Sequence, residues 1–521
     1  MTVIPKGKKT ETVNDLRNIS CTLLARKMYE SFVLDWLKGE VKLRTNQYGG
    51  VKGVGTQHLL VRLMQELLEN AEDYRAATVV TSIDYSLAFN RMSFQYCLEA
   101  LAKNGTSTDV LRLVAAFLTD RTMTVKVGDI LSSPREVHGG CPQESILGVF
   151  LFNATIDDLE EDCPDIKQEK STEKAKVTWL STGPIPSTPL RQGAPGPAAV
   201  DSPIVRPPIR RCRRLDYSIE QRTNLPEEPH DRTEAKWRQT LALLLRYIDD
   251  GFSLSKINFE NSYGFQVTGV FHRCKHAVQS QNVFRHLVRR AEDIGRVVNS
   301  GKTTMVCVSD ATSYQADAFI YDADQDRIGC QSYFKALGMW FSNRPNVDAQ
   351  VEAVKRGIRS RLWTLRNLKN SSFSEDELVQ VYTTMIRLVA DYAAVVYHSS
   401  MTDEQDEAVD NLQNAALKMI YGPGLSARKM RSLSGLTTLR ERREALCDKF
   451  AEKCVNMPLF SDWFVHKNTR SSSRITKNKE LFKETTARCE RLRNSPLHFF
   501  RRRLNGKPGK ICGKRNEEYR L

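Results

Sequence analysis

The sequence predicts an α+β protein of several domains, on three observations. Helix and strand signals alternate through residues 20–160, an acidic turn at Asp249-Asp250 joins two short apolar strand patterns, and from about residue 345 onward the pattern is helical alone. With 521 residues the chain has room for about three domains and a sizeable buried core.

Taken in order, Leu59, Leu60, Leu63, Leu67 and Leu68 recur at the spacing of one helix face, so an amphipathic helix is expected there. A β-branched run from Thr78 to Asp84, holding Val79, Val80 and Ile83, follows as a strand, and the alternation over Met123 to Val127 suits a second one. Residues 164–240 carry 11 of the 19 prolines, in stretches such as Gly183-Pro184-Ile185-Pro186, and read as a linker or surface insertion. Its basic cluster, Arg210, Arg211, Arg213 and Arg214, reads as part of a solvated loop. Farther on, Leu378, Val381, Tyr382, Met385, Val389 and Tyr392 recur at helix spacing. Thr402 and Gln405 form a capping-box pattern for a second helix with the stripe Val409, Leu412, Ala416, Met419 and Ile420, which Gly422-Pro423-Gly424 ends.

Lys and Arg outnumber Asp and Glu by 77 to 62, a net charge of +15 that favours anionic partners, nucleic acid above all. All of the excess lies in residues 421–521, which hold 25 basic against 10 acidic residues. There Arg491, Arg493, Arg501, Arg502, Arg503, Lys507 and Lys510 surround Phe499 and Phe500, a mixture that suits phosphate contact with base stacking or, equally, a disordered basic tail. The 12 cysteines show no Cys-x2-Cys pair and no zinc-knuckle spacing, and they read as reduced thiols of an intracellular protein. No apolar run approaches the roughly 20 residues of a membrane-spanning helix, so no membrane partner is expected.

Three short segments carry chemistry. Leu244 to Leu254 reads as a β-hairpin with Asp249 and Asp250 at its turn, where two adjacent acids favour a nearby cation such as a divalent metal; Asp-Asp-Gly is also ordinary turn chemistry. Asp84 leaves the end of a buried-type strand, where it reads as a turn or helix cap or as a fixed metal ligand. Gly139 to Gly148 forms a Gly-Pro turn leading into an apolar helix, with Ser145 placed to cap it.

Together and in this order, the three resemble the reverse transcriptases of non-LTR (LINE-type) retrotransposons, in the neighbourhood of the jockey group. Asp84 to Phe89 resembles the family's first carboxylate motif, Pro142-Gln143 its template-side motif, and Tyr247-Ile248-Asp249-Asp250 its Tyr-x-Asp-Asp box. Ile4-Pro5-Lys6, Leu16 to Ser20 and Asn46 to Gly50 resemble the fingers segments; Ile294-Gly295, Asn299 and Lys302-Thr303 resemble the motif after the Asp-Asp box; Phe334 to Gly338 resembles the primer grip.

The resemblance implies a right-hand polymerase. Its parts would be fingers at 1–75, a palm with an antiparallel sheet at 76–163 and 241–341 around the insertion at 164–240, a helical thumb at 342–423, and a basic C-terminal nucleic-acid-binding region at 424–521. It implies RNA-templated addition of dNTPs to a DNA 3′-hydroxyl, with two Mg2+ ions (Mn2+ as the alternative) on Asp84, Asp249 and Asp250. The implied partners are an RNA template, a DNA primer or target, and dNTPs, in the nucleus and/or cytoplasm. Phe89 would lie under the incoming sugar and exclude a 2′-hydroxyl, Gln143 would lie beside the nascent base pair, Lys6 and Arg17 would hold the triphosphate, Tyr247 would support the primer terminus, and Leu337 with Gly338 would form the primer grip.

Two departures stand out. Glu144 occupies a position where the family usually has Gly, and it puts a side chain and a negative charge into a polyanion site, which makes an inactive, nucleic-acid-binding relative the rival reading. Only 83 residues precede Asp84, which leaves no room for an upstream endonuclease and implies a shortened copy or nicking by another polypeptide. An intron-type maturase would share the fold but not these later segments.

Overall fold

A computed structural model of the chain describes residues 2–5, 16–20, 22–44, 46–72, 76–86, 89–142, 145–159, 163, 243–247, 250–258, 278–309, 319–466 and 481–506. They belong to one unit, Met1–Lys170 with Thr240–Leu521, and the insertion expected at 164–240 lies outside them. The strands are β1 (Thr2–Pro5), β2 (Leu16–Ile19), β3 (Ala76–Ser86), β4 (Arg121–Met123), β5 (Lys126–Val127), β6 (Ile130–Leu131), β7 (Arg135–Val137), β8 (Leu243–Tyr247), β9 (Asp250–Asn258), β10 (Val297–Val298), β11 (Thr304–Val308), β12 (Phe319–Tyr321), β13 (Arg327–Gly329), β14 (Tyr333–Ala336) and β15 (Met339–Ser342). In the first two thirds of the chain the helices are α1 (Leu24–Glu40), α2 (Thr56–Asn70), α3 (Phe94–Lys103), α4 (Thr108–Leu118), α5 (Gly148–Thr155) and α6 (Val278–Asp293).

Alternation along β3 organises the centre. Ala77, Val79, Ile83 and Tyr85 face a core made with Phe152 and Ile156 and with Val283, Phe284 and Leu287 of α6, whereas Val80 faces Leu59, Leu63 and Leu67 of α2. Buried on both faces, β3 pairs antiparallel with β9 on one side and with β11 and β10 on the other, and β8 adds the outer strand beyond β9. A smaller sheet runs β2-β1-β5-β6. The second expected strand, Met123 to Val127, is instead two short strands: β4 pairs with β7 and β5 pairs with β6, so its two ends take different partners.

From residue 348 the chain is helical: α7 (Asp348–Asn370), α8 (Glu375–Val381), a π-turn (Tyr382–Ile386), α9 (Arg387–Asp391), α10 (Ala394–Tyr397), α11 (Asp403–Tyr421), α12 (Ala427–Ser434), α13 (Leu439–Val455), α14 (Glu490–Arg493) and α15 (Pro496–Leu504). Thr402 and Gln405 form the expected capping box on α11, and Gly422 ends that helix at φ +91°. The expected stripe ending in Met385, Val389 and Tyr392 is displaced. The buried residues are Leu378, Tyr382, Ile386 and Ala390, while Met385 and Tyr392 are exposed, because the π-turn adds a residue and lengthens the repeat to four.

Nor does the helical region stop at 423. Phe499 and Phe500 are 1% exposed, in one core with α2 and α13, which corrects the reading of these rings as a surface for stacking bases or as part of a disordered tail. Their arginines turn inward with them: Arg501 donates to the Trp463 carbonyl at 2.7 Å, and Arg503 pairs with Asp448 (Nε to Oδ1 2.8 Å). Lys507 and Lys510 lie outside the described residues. Among the described residues, no helix is long and apolar enough to cross a membrane.

At the start of α2 the Gly55 N–H donates to Nδ1 of His58 at 3.0 Å, and the imidazole stacks on Phe460 at 4.8 Å, so the neutral ring caps the helix and fills the core at once. Burial pushes the pKa of His58, and of His498 on α15, down from 6.5 to about 4; Arg501 and Arg502 add to the effect at His498.

Two outcomes are expected. Phe500→Ala should destabilise the fold by about 3–5 kcal/mol in denaturant unfolding. Between pH 6.5 and 4 the unfolded chain binds protons at His58 and His498 that the folded chain does not, so stability should fall as pH drops through that window and level off for these groups below about 4. A unfolding midpoint followed by circular dichroism and flat over that range would contradict the second.

Candidate functional site

The ladder of β3 sets positions 84, 250 and 247 in one row. Asp84 pairs with Asp250 across β3 and β9, and Asp250 pairs with Tyr247 across β9 and β8. Residues paired across antiparallel strands share a face of the sheet, so the register brings positions 84 and 250 together. Asp249 lies outside the described residues, as do the side chains of Asp250 and Tyr247.

On the other side of β3 the turn between β10 and β11 closes the row. Asn299 N–H donates to the Asp84 carbonyl at 2.8 Å, and Lys302 Nζ stands 3.0 Å from Asp84 Oδ2. The lysine side chain is 70% exposed and the aspartate 24%, so the ammonium reaches in from solvent toward a half-buried carboxylate. A carboxylate that already holds a cation, on a strand fixed from both sides, has the hard oxygen donors that Mg2+ requires. Among the described residues no group of three His, Cys, Asp or Glu side chains is placed to hold a metal ion, and of the three expected ligands only Asp84 has a described side chain.

Phe89 stacks on Phe152 of α5 at 4.8 Å, and the guanidinium of Arg296 lies 4.0 Å from the same Phe152 ring. Around α5, Gln47 donates to Asn153 at 3.1 Å and Asn153 donates to the Gly49 carbonyl at 2.6 Å, which docks the 46–50 segment. A Cβ at Gly50 would fall 2.5 Å from Val149, so only glycine allows this approach. Gln143 and Glu144 lie outside the described residues. The loop around them leaves Cys141, whose thiol is pushed up to about 12 chiefly by burial. Lys6 also lies outside the described residues; Arg17 sits on β2 opposite Ile4, its side chain not among those described.

Leu337 and Gly338 are the two turn residues of the β14–β15 hairpin, at φ +45° and +87°. Positive φ at both positions matches the twist that two-residue hairpins need. Tyr392 hydroxyl donates to the Leu337 carbonyl, and its Oη would be 3.0 Å from a Cβ at Gly338, so the hairpin tip is latched to the helical region. Sequence reasoning missed Tyr392 and also Glu30, a fully buried acid on α1. Glu30 shares a face with Val33, Leu34 and Leu37, so an acid interrupting an apolar stripe was the available signal.

Residues 4–176, a third of the chain, match the family described as reverse transcriptase (RNA-dependent DNA polymerase). Two curated relatives are similar to part of the chain. The Retrovirus-related Pol polyprotein from type-1 retrotransposable element R2 of Popillia japonica is 28% identical over 162 residues, 30% of this chain and 22% of that protein. The probable RNA-directed DNA polymerase from transposon BS of Drosophila melanogaster is 27% identical over 173 residues, 32% of this chain and 19% of that protein. The chain is thus similar, over about a third of its length, to reverse transcriptases of non-LTR retrotransposons, and the match spans about a fifth of each relative's length. A solved structure of telomerase from Candida albicans with a fragment of telomeric RNA covers 84% of this chain and 55% of that chain at 9% identity; its TM-score of 0.28 is too loose an overlap to bear on the fold.

Gly338→Ala should lower stability by about 1 kcal/mol or more, through its left-handed backbone and its approach to Tyr392. Tyr392→Phe removes the nearest atom, so in a double-mutant cycle the two losses should add to less than their sum; simple additivity would mean that the contact is absent.

Proposed function

We propose that the chain is an RNA-directed DNA polymerase of a non-LTR retrotransposon, extending a DNA 3′-hydroxyl with dNTPs on an RNA template. The observation that carries this reading is the register of Asp84 against Asp250, in a row with Tyr247 and beside Lys302. Asp84, Asp249 and Asp250 would hold two Mg2+ ions, with Mn2+ as the alternative. Those ions supply charge neutralisation on the triphosphate and a lowered pKa at the primer hydroxyl.

The chain's own residues do the rest. Phe89, fixed on Phe152, sets a wall under the incoming sugar and excludes a 2′-hydroxyl. Gln143 flanks the nascent pair, Lys6 and Arg17 hold the triphosphate, and Tyr247 with the Leu337–Gly338 turn fixes the primer end. The primer oxygen forms a bond to the α-phosphorus while the bond to the bridging oxygen breaks and pyrophosphate leaves. In this reading residues 1–75 are fingers, 76–163 and 241–341 palm, and 342–423 thumb; the helices beyond 423 are the thumb's structural base, with nucleic acid contacting the basic C-terminal region. The protein would work inside the cell, in the nucleus and/or cytoplasm.

Glu144, where the family usually has glycine, favours a second reading, an inactive relative that binds nucleic acid. Primer extension on an RNA template with Mg2+ separates the two. Asp249→Ala should abolish incorporation while primer–template binding persists, and Glu144→Gly should raise incorporation sharply. Binding without incorporation in the natural chain would support the second reading.

A further inference from the structure

We propose that Glu30 is a positioning residue for the loop that carries Gln143, holding it in place from a different helix; the inference rests on the polymerase reading above. Glu30 is 0% exposed and lies on the apolar face of α1, where an acid is costly unless its oxygens are satisfied. Its Oε2 accepts from the Ser145 hydroxyl at 2.7 Å, from Ile146 N–H at 2.8 Å and from Leu147 N–H at 3.3 Å. These groups open α5, whose N-cap residue, Leu147, has no side-chain oxygen to offer. Ser145 Oγ accepts in turn from Gly148 N–H at 2.8 Å. The other carboxylate oxygen faces Arg26 at 3.8 Å, and Arg26 is itself held by the Phe117 carbonyl at 3.1 Å.

The loop's other foot is tied as firmly. Gly140 N–H donates to the Met92 carbonyl and Cys141 N–H to the Phe89 carbonyl, both at 2.8 Å, and Arg121 donates to the Gly140 carbonyl at 2.6 Å. Gly140, at φ +76°, has no room for a Cβ, which would fall 2.7 Å from the Asn90 carbonyl oxygen. Gly140 and Cys141 are therefore anchored on the turn that follows Asp84, and Ser145 to Leu147 on Glu30. The first anchor is backbone apart from the Arg121 bond. The second depends on one carboxylate, so Glu30 is where a single substitution shifts this loop against the rest of the site.

The test compares the natural chain with Glu30→Gln, which keeps size and one acceptor, and with Ser145→Ala, which removes one donor and leaves the acid in place. Read-outs are the unfolding midpoint, kcat and KM for dNTP on a defined RNA template with a DNA primer, the ratio of mismatched to matched incorporation, and the Kd for primer–template. A positioning role predicts that KM for dNTP and the mismatch ratio rise on the order of tenfold in Glu30→Gln, with kcat changed less and the chain folded at the assay temperature. Ser145→Ala should move the same two quantities in the same direction by less. A lower unfolding midpoint with KM and mismatch ratio unchanged in both variants overturns the proposal and leaves Glu30 a helix cap alone. If the natural chain incorporates nothing, the polymerase reading falls by itself, and Glu30 is judged on Kd: an unchanged Kd in both folded variants overturns its role, and a weakened one upholds it as a placement of the loop against nucleic acid.

Discussion

The ladder between β3 and β9 is the constraint on which the site depends. Nine residue pairs run from Ala76–Asn258 to Asp84–Asp250, and a slip of one residue would turn every side chain of β3 over. Asp84 and Ser82 would then face Phe152, Phe284 and Leu287, while Val79 and Ile83 left that core. Burying apolar residues at alternate positions therefore fixes the register, and the opposition of the two acidic positions follows from it. No separate device is needed to align positions 84 and 250, because the core does so.

That part of the molecule was legible in the sequence, since strands and turns announce themselves locally. Thr78 to Asp84 reads as a strand by its β-branched residues, the leucines of α2 by their spacing, and the start of α11 by Thr402 and Gln405. What escaped depends on partners far away in the chain. Glu30 meets Ser145 across 115 residues and Tyr392 meets Leu337 across 55, and nothing beside either residue in sequence points to the other. The displaced stripe around Tyr382 has another cause, a local change of helical repeat that the usual 3.6-residue template does not contain.

In the basic C-terminus part of the charge is paired within the fold. Composition counts charge but not its pairing. Arg443 is buried against Asp406 at 2.7 Å, Arg442 meets Asp391 at 3.1 Å, and Arg440 and Arg503 bridge to Asp403 and Asp448. Four arginines of this region are thus taken up in joining α9, α11, α13 and α15. A buried pair such as Arg443–Asp406 adds little net stability, because desolvation offsets most of the attraction.

The packing of α15 on α2 also sets an order of events. Gln65 on α2 accepts the N–H of Leu497, 432 residues later, and Phe499 and Phe500 fill the core that α2 lines. During synthesis α2 emerges early with leucines that have no complete surface to bury against until α15 has left the ribosome. Contacts so remote slow folding and leave apolar surface open in the meantime. The long interval ties the completed core around α2 to the synthesis of α15.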